Sequence, residues 1–264
     1  MTVTRLSDRA VLRIAGADAR PFLQGLITND IDTLAPDHSL YAGLLSPQGK
    51  ALFDMILHAD GNDILVDVAA IRADALARRL SMYKLRKAVT ITPTSLAVVA
   101  GWNGDAAGHP ADPRLAVLGA RWIAETAPDT GAYTPHRLAH GVPDSADIGE
   151  DQLLWLETGA DLLGGVSFTK GCYVGQENTA RMHHRDKVRR RLVPLQIDGD
   201  PGDTRDVTDA AGRTVGTVRS RHGDTAIAHL RLEAAAGPLH VGAAAARVMR
   251  PTWLAPAIDA ASAA

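Results

Sequence analysis

Short apolar runs closed by turn signals fill the first part of the chain. Residues 10–14 (AVLRI) read as a strand, and residues 16–18 lead into a helix with Pro21 in its first turn and Phe22, Leu23, Leu26 and Ile27 on one face. Residues 40–45, 51–58 and 64–68 read as three strands joined by the turns 46–50 and 60–63, which predicts an antiparallel meander. Residues 71–87 set Ala75, Leu76, Leu80, Met82 and Tyr83 among basic residues, the pattern of an amphipathic helix packed on that meander. Strands at 89–92, 96–100, 115–118 and 121–124 follow. Strand runs broken by occasional helices predict an α+β fold built on antiparallel sheets, not a doubly wound parallel sheet.

Residues 197–212 are rich in Asp and Gly, and beyond them short β-like runs alternate with turns up to residue 253. This predicts a body over 1–191, made of two interleaved subdomains, and a small C-terminal β-barrel over 192–264. Residues 188–197 read equally as linker or as the first barrel strand. The small-residue tail 256–264 is expected to fray.

With 264 residues, 46% of them hydrophobic and 22% charged, the chain can bury a substantial core. A net charge of -2 gives no global attraction to nucleic acid or anionic membrane. The single cysteine, Cys172, excludes an intrachain disulfide and any site of several thiolates. No apolar run approaches the ~20 residues that span a bilayer. Residues 1–10 lack a signal-peptide core, and Asp8 and Asp18 suit an acid-poor transit peptide badly, so a soluble cytoplasmic protein without a membrane partner is expected.

The chemistry gathers in residues 165–181, GVSFTKGCYVGQENTAR. Residues 166–168 read as the end of a strand, 170–175 as a glycine-bounded loop and 176–182 as the start of a helix. Cys172 then lies near a helix N-terminus, with Lys170 two residues away, and both features favour a thiolate. The alternative is a buried structural cysteine.

Lys170, Gly171, Cys172, Tyr173, Gly175, Gln176 and Glu177 match seven positions of K-G-C-Y-x-G-Q-E, and the segment resembles the YgfZ/T-protein-like folate-binding family. The flanks, residues 165–168 and 179–181, are most similar to its mitochondrial iron-sulfur assembly branch. Shorter likenesses lie at residues 22–25, 46–50, 85–87, 141–143 and 212–220. The resemblance implies an aminomethyltransferase-like folate-binding body with a terminal barrel. It also implies binding of tetrahydrofolate or a derivative, and support of iron-sulfur client enzymes or assembly proteins, including radical enzymes that modify tRNA, through Cys172. An accessory role is expected ahead of turnover. The competing assignment is a folate-dependent aminomethyl transferase, against which Phe53 stands where those enzymes carry the first of two adjacent aspartates beside Asp54.

A pteridine offers a paired N–H edge that a carboxylate accepts, and the candidates are Glu157, preferred by its resemblance to a pterin-binding segment, and Asp54. Lys84, Arg86, Lys87, Lys170 and Arg181 are candidates for the anionic glutamyl tail, and Tyr41 and Tyr173 for ring stacking, with solvated charges and core aromatics as the plainer readings. No metal site is expected, since His183 and His184 point about 100° apart on a helix and lie at no common zinc spacing from Cys172. The basic run 181–191 lacks aromatic platforms, so nucleic acid is not an expected partner.

Overall fold

The computed structural model describes residues 2–104, 108–131, 133–184 and 188–262. In chain order the body holds β1 (Thr2–Arg5), β2 (Arg9–Ala15), α1 (Ala19–Gln24), β3 (Leu40–Leu45), β4 (Ala51–Asp60), β5 (Asp63–Ala69), α2 (Ala73–Lys84), β6 (Thr90–Pro93), β7 (Ala97–Trp102) and β8 (Ala120–Ala124). Three short helices follow: α3 (Tyr133–Ala139), α4 (Ser145–Ile148) and α5 (Gln176–His184). The strands pair as a five-stranded antiparallel sheet in the order β3-β4-β5-β2-β6 and a three-stranded sheet in the order β1-β7-β8.

Period-2 alternation sorts the larger sheet onto two buried faces. Leu12, Ile14, Met55, Leu57, Ile64 and Val66 pack with Phe22 and Leu23 of α1 and Leu76 and Leu80 of α2. Opposite them, Val11 and Leu65 pack with Val98 and Trp102 of the smaller sheet, and Ile56 packs with Tyr41 and Trp155.

The remaining strands are β9 (Arg190–Asp198), β10 (Asp206–Asp209), β11 (Thr214–His222), β12 (Thr225–Arg231), β13 (Leu239–Val241) and β14 (Ala244–Val248), and α6 (Ala255–Ser262) ends the described chain. The six strands close into a barrel in the order β10-β11-β12-β9-β14-β13. Leu192 and Ile227 pack outward against Leu138, Val142 and Trp155, so barrel and body share a core.

Several local expectations need correction. Residues 116–118 form a single 3₁₀ turn, not a strand, with Leu118 driven into the core. Residues 166–168 are extended without a ladder, although the Ser167 N–H donates to the Thr28 carbonyl at 3.0 Å. The stretch 197–212 contains the end of β9 and all of β10. The tail is helical because Ile258 docks on the barrel core and Asp259 pairs with Arg250.

Candidate functional site

A cavity of about 420 Å³ opens where β4, the end of β5, α3, the start of α4 and the end of β11 converge. That volume lies within the range of small-molecule sites. Leu52, Phe53, Val68 and Leu138 give it apolar walls, while Arg9, Asp54, Arg137 and Asp144 bring charge and Ser220, Arg221 and His222 extend it onto the barrel.

Behind it lies a buried ion network. Asp67, fully buried in β5, accepts from Arg9 Nε at 2.6 Å and Arg121 Nε at 2.7 Å. Arg9 also donates to Asp144 and the Ser145 hydroxyl, each at 3.1 Å. Arg114 donates to Asp112 and to the Tyr133 hydroxyl, both at 2.7 Å. Arg137 donates to Asp147 at 3.0 Å. These arginines outweigh the desolvation that burial imposes and hold Asp67, Asp112 and Asp144 below the usual carboxylate range.

Asp54 is the exception. Its side chain accepts from the Ser145 hydroxyl at 2.6 Å and forms no salt bridge with any described residue. Burial is the largest influence on it and raises its pKa, against the pull of Arg9. A carboxyl in this state has a spare oxygen and faces the cavity.

The motif loop lies elsewhere. No residue of 165–181 lines the cavity. Cys172 is exposed. Lys170 is buried, and its ammonium donates to the carbonyls of Gln24 at 2.7 Å and of Ile27 and Asn29 at 2.8 Å, which uses all three of its protons. Burial pushes its pKa down to about 8, against the opposing pull of Asp30 and Asp32. Gly175, at φ 83°, lets the loop turn into α5 where an added Cβ would lie 2.5 Å from the Ser46 carbonyl. The Asn178 amide then donates to the Gln48 carbonyl at 2.8 Å, so the turn at 46–50 and the motif meet in space. His183 stacks on Phe168 at 3.7 Å between ring centroids.

The other candidates disperse. Glu157 caps its own 3₁₀ turn by accepting from the Leu154 N–H at 3.1 Å and lies 3.7 Å from His229 of the barrel, away from the cavity. Tyr41 is buried against Trp155 at 5.4 Å. Arg181 donates to Asn178 of its own helix at 2.8 Å. Lys84, Arg86, Lys87 and Tyr173 do not line the cavity either, so Asp54 alone of the nine candidate folate contacts does. The basic run 181–191 falls partly outside the described residues. Among the described residues no cluster of three or more metal-ligating side chains occurs. Sequence reasoning missed Arg9, Ser145 and Arg221, whose roles depend on contacts distant in the chain.

This body and barrel define an aminomethyltransferase-type fold. The chain is similar to the glycine cleavage system aminomethyltransferase T of Bartonella henselae, with a TM-score of 0.75 and 15% identity, covering 96% of this chain and 86% of that one. Residues 189–256 match the CAF17 C-terminal β-barrel domain. The human iron-sulfur cluster assembly factor IBA57, mitochondrial, is 34% identical over 90% of this chain and 80% of its own length, and the mouse protein 32% identical over 97% and 84%. The chain belongs to the IBA57 family of iron-sulfur cluster assembly factors. The cytoplasmic expectation is overturned by these relatives, both of which are mitochondrial proteins by name. The acids near the start of the chain were no guide to compartment.

Proposed function

We propose that this protein is an accessory factor in iron-sulfur cluster assembly that binds a reduced folate in the cavity around Asp54 and offers the Cys172 thiol to an assembly protein or client enzyme. The observation that carries this reading is the exposed sulfur on a loop braced by Lys170 and Gly175, within a chain whose relatives are assembly factors. An exposed thiol can supply one ligand of a cluster whose other ligands come from a partner.

The cavity suits a pteridine on its own chemistry. The free Asp54 oxygen would accept from the ring edge, Phe53 and Leu138 offer apolar wall for a flat ring, and Arg221 and His222 lie on the wall for tail carboxylates, while Arg72 is paired with Glu150. In rescue of an iron-sulfur enzyme in cells lacking their own factor, wild type should restore activity and Cys172→Ala should not. Full rescue by the alanine variant would remove the thiol from the mechanism. Calorimetric titration with tetrahydrofolate tests the cavity, and affinity unchanged in Asp54→Asn would defeat its assignment.

A second reading, aminomethyl transfer, is favoured by one feature, the raised pKa of a cavity carboxyl that could act as a base. Sustained turnover of tetrahydrofolate with an aminomethyl donor would support it over the accessory role.

A further inference from the structure

The surface where α2 ends carries two of the four large hydrophobic side chains that stand exposed among the described residues. Leu76 and Leu80 point into the sheet, yet Met82 is 63% exposed and Leu85 is 85% exposed. Leu85 adopts φ 47° and ψ -114°, a backbone region in which a bulky residue is an outlier. The fold thus holds a strained leucine out in solvent, where it packs against nothing of its own.

The charge around it is one-sided. Residues 75–104 contain Arg78, Arg79, Lys84, Arg86 and Lys87 and no Asp or Glu, in a chain of net charge -2. None of the five forms a salt bridge with a described residue. Arg78, Met82 and Leu85 follow one another at spacings of four and three, along one side of the helix and its end.

The patch is also tied to the thiol loop. Asp18, at the head of α1, accepts the Ala88 N–H at 2.7 Å, and Lys170 binds the Gln24 carbonyl at the other end. The two loops therefore sit at opposite ends of a helix of 6 residues, about 9 Å long.

We infer that this patch docks an acidic protein partner whose apolar socket takes Leu85 and Met82, bringing it alongside the Cys172 loop. The inference rests on the accessory role proposed above. Cations that form no salt bridge call for an acidic face, although Arg79 also acts on Glu150, and two apolar prongs call for a protein socket. A bilayer fits worse, because the continuous apolar stripe of α2 is already buried in the sheet and two side chains are a small area for interfacial anchoring.

Two variants test this. Leu85→Gly suits the positive φ, and Arg86→Glu with Lys87→Glu reverses charge on exposed positions, so both should keep the melting temperature and tetrahydrofolate affinity of wild type. Each should weaken binding of a synthetic glutamate–leucine peptide about tenfold and lower rescue of an iron-sulfur enzyme to a similar degree. Undiminished peptide binding and rescue in both variants would overturn the docking assignment. So would patch-dependent retention on phosphatidylcholine–phosphatidylserine vesicles or on tRNA in place of peptide binding. If wild type itself gave no rescue, the accessory role would fall, while peptide binding that still depended on Leu85 and Arg86 would keep the docking surface.

Discussion

Asp54 and Asp67 are neighbours in the same interior with opposite fates. Asp67 has two arginines, whereas Asp54 has a serine hydroxyl. Burial raises the pKa of Asp54, so as pH climbs the unfolded chain releases this proton first, and the group lowers stability through the window above the ordinary aspartate value. Asp54→Asn should therefore raise the melting temperature at neutral pH and flatten its decline from acid toward neutral, while tetrahydrofolate affinity falls about tenfold or more. Asp67 and Asp112 are shifted the other way, and their contribution is present above the ordinary aspartate pKa and lost as pH falls below it. Arg121→Met leaves Asp67 with one partner and should cost about 3–5 kcal/mol in urea denaturation. A loss under 1 kcal/mol would mean that water reaches the network. A lone acid in the apolar run 64–69 already hinted at such a pair. Its arginines lie 58 and 54 positions away, beyond any local pattern.

At the scale of elements, the 46–50 turn and the thiol loop hold each other. Gly175→Ala would set a Cβ against the Ser46 carbonyl at a positive φ, and should destabilise by about 2 kcal/mol or more and fray the start of α5, readable as faster amide exchange at residues 176–179. Lys170→Met removes three charge-assisted bonds and should loosen the same loop, so rescue falls although Cys172 is intact. The meander, α1, α2 and the start of α5 were legible because periodicity and turn residues are local. The 3₁₀ turn at 116–118 and the helical tail were not, since one is set by burial of Leu118 and the other by docking of Ile258 on a distant barrel. The exposure of Cys172 removes the buried alternative, while the ammonium of Lys170 is spent on carbonyls that belong to a segment more than 140 residues earlier.

The molecule as a whole is stitched across its two parts. Arg219 of β11 donates to the Asp147 carbonyl at 2.9 Å, Trp253 donates to the His140 carbonyl at 3.0 Å, and Leu192 and Ile227 sit in the shared core. Body and barrel should unfold in one transition, with coincident fluorescence and circular dichroism curves; two separated steps would contradict the shared core. If the proposed folate site is correct, tetrahydrofolate should raise that single midpoint, since both parts wall the cavity. The α+β class and the terminal barrel could be read from the sequence, but the cavity between them could not, because its wall is assembled from six separate stretches of chain. That wall shares no residue with the segment bearing Cys172. On the proposed assignment, vitamin supply and sulfur chemistry would therefore vary independently: a chain starved of folate should still present its thiol, and one alkylated at the thiol should still take up folate with unaltered affinity.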